Sequence, residues 1–281
     1  MATIGTDPEV FLRRKDTGEV MPSCGLVGGT KGKPEPMGDG FGIQEDNVML
    51  EFNTPAADSY DGFAARVHDG MHKCANLLRT RLDDQYEIDG ANERVFRTDL
   101  LGTEQAQTFG CSPEFNAYDG GAGVVSFNRS ALVLPGVGEW RLAGGHVHLG
   151  YKPKCSVPPH VVAQFADLWL GLPSIGVDNQ PQRRALYGQA GRFRKTGYGI
   201  EYRTLSNFWV HSATTINEVA WRGFSLASFL EHATEARMMA LYKAVPWADV
   251  QDSINTENRE KSSDLLHHIV MDLNVPEISN P

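Results

Sequence analysis

The chain has 281 residues, 41% hydrophobic and 22% charged, enough to bury a sizeable core as a single domain over 1–281. Its formal net charge of −9 argues against indiscriminate binding to phosphate backbones or anionic membranes, so neither nucleic acid nor a membrane is an expected partner. Cys24, Cys74, Cys111 and Cys155 show no CxxC pair or short metal spacing, and no run of about 18 apolar residues occurs. Neither a zinc ribbon, a disulfide framework nor a membrane anchor is expected, and a reducing cytoplasm fits best.

In chain order, Ile4–Leu12 (IGTDPEVFL) reads as a strand with Asp7 and Glu9 on one face and Val10 and Leu12 on the other. Pro8 marks it as an edge strand or a bulge. Gly and Pro then cluster over Met21–Gly42 and again over Gly110–Gly123, as in long loops over a site. Asn47–Asn53 alternates Val48, Leu50 and Phe52 against Glu51 and Asn53. After a cap at Asp58 or Ser59, the near-3.6 spacing of Phe63, Val67, Met71, Leu78 and Leu82 predicts a helix to Asp84. Gly144–Tyr151 alternates Val147, Leu149 and Tyr151 against His146 and His148, and Gly199–Leu205 alternates Ile200 and Tyr202 against Glu201 and Arg203. Helices are expected over Pro159–Leu170, Ser212–Lys243 and Ser262–Leu273, with 246–281 a peripheral helical appendage. No strand–helix–strand rhythm recurs, so the expected class is α+β with a mainly antiparallel sheet.

Any one of these amphipathic strands is what an ordinary half-solvated sheet produces. Four together are different, because solvated faces are usually rich in Lys, Thr and Ser, whereas these carry carboxylates, imidazoles and one guanidinium. Side chains two apart share a face, so the set converges on one space. Oxygen donors with few nitrogens suit magnesium or manganese better than zinc, and magnesium commonly accompanies phosphate. Just before the fourth strand, Tyr187–Gly199 (YGQAGRFRKTGYG) sets Arg192, Arg194 and Lys195 among glycines, a cationic loop suited to phosphate oxygens. It lacks the GxxxxGK[ST] spacing of a P-loop, so its force comes from adjacency to Glu201 and Arg203.

The segments GTDPEVFL, LEFNTPAA, GCSPEFNAY, GGHVHLGY, YGQAGRFR and GIEYRTLSNFW resemble the phage-type carboxylate-amine (COOH-NH2) ligases, relatives of glutamate-cysteine ligase in the glutamine synthetase superfamily. They span residue 4 to about 209, roughly three quarters of the chain. The resemblance implies an antiparallel sheet curved into a half-barrel, helices on its outer face, and ATP with magnesium or manganese in the concavity. It places Glu9, Glu51, His146 and Glu201 as metal ligands, with Asp7 and Glu45 as second choices. The first strand reads Asp-Pro-Glu where glutamate-cysteine ligases carry two glutamates at that spacing, and Glu51 is preceded by Gln44-Glu45-Asp46-Asn47.

The implied reaction joins a small-molecule or peptide carboxylate to an amine through an acyl phosphate, in the host cytoplasm if the gene is a phage one. Arg192, Arg194, Lys195 and Arg203 would grip phosphate, with Arg203 also at the reacting groups, and His148 or Glu114 would take the amine proton. Two rivals use the same residues: a metal-dependent amidohydrolase or peptidase that activates water, and a noncatalytic nucleotide-binding module. The identity of the acid and amine and the oligomeric state have no readable signature.

Overall fold

The alternating segments become strands, though not all with the expected boundaries. The computed structural model describes residues 2–108, 114–125, 129–151 and 157–278. In it the Ile4–Leu12 segment is two strands, Thr3–Thr6 and Glu9–Arg14, in different sheets. Pro8 cannot donate to a ladder, so pairing ends there and the chain steps from one sheet to the next.

The first sheet runs Thr3–Thr6, Val147–Gly150, Gly199–Tyr202, Arg192–Lys195, Phe115–Asn116, antiparallel throughout. The second runs Val20–Met21, Glu9–Arg14, Met49–Asn53, Phe41–Asp46, Glu35–Gly38, with Tyr86–Asp89 also paired to Glu9–Arg14. A third joins Val133–Leu134, Gly138–Leu142 and Glu93–Arg97. The fold is therefore α+β and mainly antiparallel, with one sheet curled into a half-barrel.

Helices cover the apolar side of these sheets. Ser59 caps Tyr60–Arg81 by accepting from the Gly62 N–H, and the helix buries Phe63, Val67, Cys74 and Leu78. It lies so close to the second sheet that a Cβ on Gly70 would sit 2.4 Å from the Phe52 ring. The Ala213–His232 helix rides on the first sheet, where a Cβ on Gly223 would lie 3.2 Å from Ile4. Ile4, Val147, Leu149, Phe193, Ile200 and Tyr202 fill the interface, and Val250, Ile254, Leu265 and Ile269 of the C-terminal helices join the same core. At about 1.5–3 kcal/mol for each large apolar side chain, this burial is the main force holding the helices to the sheet.

Several helices differ from expectation. Ser212–Lys243 is two helices, Ala213–His232 and Glu235–Ala244, broken where Thr234 caps the second through the Arg237 N–H. Pro159–Ala166 runs on through a π-turn at Asp167–Gly171 into Leu172–Ser174. The last helix starts earlier than read, at Arg259 with Asn258 as its cap, and follows Trp247–Thr256. Cys111, Cys155 and part of the Gly110–Gly123 segment lie outside the described residues. Among the described residues no helix is long and apolar enough to cross a membrane.

Candidate active site

Register aligns the polar side chains into two rows. In the first sheet His148 pairs with Gly5 on one side and Glu201 on the other, and Glu201 pairs with Arg194. In the second Glu51 pairs with both Glu9 and Gln44. Because the chain changes sheet at Pro8, Asp7 joins the first row and Glu9 the second. The rows belong to one site: Glu51 is pushed up in pKa partly by Asp7, and Glu9 feels Arg203.

The first row is densely ion-paired. Asp7 Oδ1 lies 3.3 Å from His146 Nδ1 and 3.0 Å from His148 Nε2. The second of these contacts lacks hydrogen-bond direction, leaving both of its atoms buried without a hydrogen-bond partner. Glu201 meets Arg203 Nη1 through one oxygen and Arg194 Nη1 at 2.7 Å through the other, with His146 Nδ1 at 3.4 Å. Arg203 Nε reaches Glu114 Oε1 at 3.3 Å, so Glu114 enters from the Phe115 edge. His148 Nδ1 engages the Tyr198 hydroxyl at 2.8 Å.

Burial and charge sort these groups. Against the upward push of burial, His148 and His146 hold Asp7 well below its ordinary pKa, and Arg203 does the same, less strongly, for Glu201. Burial and the charge of Arg203 push His146 down to about 4, so at neutral pH its imidazole is uncharged and able to offer a lone pair. His148 moves the other way: burial lowers it, but Asp7 more than compensates.

The second row carries surplus negative charge. Burial first, and then Asp46, raises Glu9 to about 7, while burial with Asp7, Asp46 and Glu9 drives Glu51 well above its ordinary value. Glu9 accepts from the Gly144 N–H at 2.6 Å and Glu51 from Gln44 Nε2 at 2.6 Å. Glycine is required beside them, since a Cβ on Gly144 would fall 2.4 Å from His146 Nε2.

Two groups fit a divalent cation. Glu9, Asp46 and Glu51 each offer a ligand atom within 4.8 Å of one another, as do Asp7, His148 and Glu201. The first is three mutually repelling carboxylates, Glu9 and Glu51 buried and Asp46 half-buried, and the second includes the unpartnered Asp7 Oδ1 and His148 Nε2. Both donor sets suit a hard, oxygen-seeking ion. His146 faces Asp7 and Glu201 of the second group.

Several expected residues lie elsewhere. Glu45 points away from Glu51, accepting from the N–H groups of Gly25, Val27 and Gly28 at 2.8 Å each; it anchors the Met21–Gly42 segment. Asp46 takes the place beside Glu51, and strand parity could have shown it, since Gln44 and Asp46 share the face opposite to Glu45. The basic stretch is not a free loop but the Arg192–Lys195 strand. Its pleat sends Lys195 away from the acids, over the Phe115 ring at 4.5 Å and to the Gly121 carbonyl at 3.3 Å. Arg192 is buried, touching Gln189 through Nη2, with Nε and Nη1 unpartnered.

A cleft opens on this site, lined by Glu9, Asp46, Glu114, His146 and Arg203 and also by Arg141, Arg183 and Tyr187. The last three were not legible in the sequence. Arg183 lies on a short helix, Pro181–Leu186, and Arg141 on a strand of the third sheet, neither with a periodic signal of its own.

Residues 138–274 match the family described as Phage phiEco32-like COOH.NH2 ligase-type 2. That span holds the His146–His148 and Glu201–Arg203 strands together with the C-terminal helices, and stops short of Asp7, Glu9 and Glu51. No curated protein matches the chain. By this match, residues 138–274 are similar to the carboxylate-amine ligase family.

Proposed function

We propose that this protein is an ATP- and magnesium-dependent carboxylate-amine ligase that activates its acid as an acyl phosphate before the amine attacks. The observation that supports this is a cleft lined by Glu9 and Asp46 of one acid group and by His146 and Arg203, which contact Asp7 and Glu201 of the other. A carboxylate resists amines because its charge is delocalised and oxide is a poor leaving group, and phosphorylation by ATP removes both obstacles. Divalent cations, magnesium or manganese, supply charge neutralisation for the phosphates when bound.

In this reading Glu9, Asp46 and Glu51 hold one cation, and Asp7, His148 and Glu201 the other. Arg203, oriented by Glu201 and Glu114, donates to oxygens that gain charge during transfer, with Arg194 beside it. Arg192, with two unpartnered donor atoms, would take a phosphate further along the strand. Glu114 lines the cleft and in this reading accepts the amine proton, since His148 is given to the second cation and its Nδ1 is taken by the Tyr198 hydroxyl.

Purified protein with ATP, magnesium and panels of carboxylates and amines should release ADP and form new amide masses. Glu201→Gln removes a charge shared by Arg194, Arg203 and the second cation group, and should cut turnover by about 10²-fold or more. Full ligation by that variant would sink the assignment. A hydrolase using the same residues would ignore nucleotide, so ATP titration by calorimetry separates the two.

A further inference from the structure

His146 and His148 share a face, yet they are held in different ways. His146 Nδ1 faces Asp7, Glu201 and Arg203 Nη1 at 3.3, 3.4 and 3.5 Å, all of them members of the site itself. His148 is held from outside that set. Its Nδ1 engages the Tyr198 hydroxyl at 2.8 Å, and the two rings lie nearly parallel, 20° apart in plane with their centroids 6.0 Å apart. Tyr198 is 49% exposed and belongs to the turn between the Arg192–Lys195 and Gly199–Tyr202 strands. A side chain half in water thus grips an imidazole whose other nitrogen is buried among the acids.

That grip is built into the hairpin. Its turn closes through the Thr196 N–H, which donates to the Gly199 carbonyl at 3.1 Å. The turn is also fastened to the strand that carries His148, where the Tyr151 N–H donates to the Tyr198 carbonyl at 3.3 Å. Gly199 comes next, at φ +156°, and a Cβ there would fall 2.1 Å from the Leu149 carbonyl oxygen and 2.8 Å from the Tyr151 ring. Only glycine lets the chain come so close to that strand directly after Tyr198.

The chemistry turns on where a neutral imidazole keeps its one ring proton. If His148 Nε2 is to offer a lone pair, the proton must lie on Nδ1, whose N–H then donates to the Tyr198 oxygen. Without that acceptor the proton is free to move to Nε2, where Asp7 Oδ1, 3.0 Å away, would draw it into a hydrogen bond. In the structure neither of these two buried atoms has a hydrogen-bond partner. We infer that Tyr198 is a positioning residue for His148: its hydroxyl keeps the proton on Nδ1 and so turns the Nε2 lone pair, with Asp7 and Glu201, toward a divalent cation. A ligating imidazole needs such a partner on its other nitrogen to fix its tautomer and its pose. The inference rests on the proposed second cation group for what Nε2 faces.

The test uses the whole protein, stripped of metal and free of nucleotide, with manganese as the probe followed by electron paramagnetic resonance. In wild type, bound manganese should show a nitrogen coupling that His148→Gln removes. Tyr198→Phe keeps the ring and loses only the hydroxyl. It should weaken manganese at that group by about tenfold or more and diminish the same coupling, as loss of a ligating histidine's partner does. Manganese held by Glu9, Asp46 and Glu51 should be unaffected. Because Tyr198 is half exposed, the variant should keep the wild-type melting transition. Equal affinity and coupling in Tyr198→Phe and wild type would overturn the inference. So would a wild-type spectrum without coupling from His148, or an equal loss at both groups, which would mark a general loosening. A separate ATP titration with manganese keeps the ligase reading distinct: absence of ATP binding in wild type overturns that reading and leaves the role of Tyr198 standing.

Discussion

Single residues here serve opposite ends. Glu9 and Glu51 are buried beside one another, and each raises the other's cost of ionisation. A carboxyl whose folded-state pKa lies above its ordinary value stabilises the fold below that ordinary value, and the contribution is lost as pH rises through the folded value. Near neutral pH the metal-free protein therefore carries strain at this pair. Glu51→Gln keeps an acceptor for Gln44 and removes one charge. It should stabilise the metal-free protein at about pH 8 by roughly 0.5–2 kcal/mol while impairing ligation, as judged by thermal melting and ADP release. Destabilisation at that pH would contradict the electrostatic account. Asp7 and Glu201 sit on the other side of the ledger, with depressed values set by His148, His146 and Arg203.

At the scale of elements, the site depends on close approach between a helix and a strand. Gly70 of the Tyr60–Arg81 helix leaves room for Phe52, whose neighbour on the opposite face is Glu51. Gly70→Ala places a methyl inside the ring's volume and should cost about 1–3 kcal/mol by overpacking, seen as a lower melting temperature. Because the strand must move to relieve it, magnesium affinity measured by calorimetry should fall as well. A variant that melts lower yet binds magnesium normally would show that the strand does not transmit the displacement. On the other sheet, buried Asp167 in the π-turn accepts from Tyr118, Tyr202 and the Gly191 N–H at 2.9, 2.6 and 3.0 Å, tying the Glu114 segment to the strands of Glu201 and Arg192. Asp167→Ala leaves those three donors unmet in the core. It should destabilise by about 3 kcal/mol or more in chemical denaturation.

For the whole molecule, pH and metal should act together. Glu9 moves from an ordinary 4.5 to about 7 in the folded state, so its contribution to stability is present below about pH 4.5 and is lost through about pH 7. The melting temperature of metal-free protein should therefore fall between about pH 5.5 and 8. Magnesium, which binds the ionised carboxylates of the native state alone, should recover more at pH 8 than at 5.5. An equal shift at both pH values, measured by calorimetric scanning, would mean that the raised carboxyls do not bind the ion.

The sequence alone determined the polar faces, because a strand's two-residue period is a local property: His146 with His148 and Glu201 with Arg203 are legible from four or five residues each. It determined the α+β class and the main helices for the same reason, and its motifs carried the family. Tertiary structure alone decided how those faces combine. Only the change of sheet at Pro8 separates Asp7 from Glu9, and only hairpin register sets Gln44 opposite Glu51, so that the face shared by Gln44 and Asp46 is the one that meets it. The cationic stretch became a strand because Phe193 packs into the core opposite Tyr202, which turns Lys195 outward. Arg183 could not be read at all, since its place in the cleft wall comes from how the Pro181–Leu186 helix packs against the strands, which is a property of space rather than of sequence.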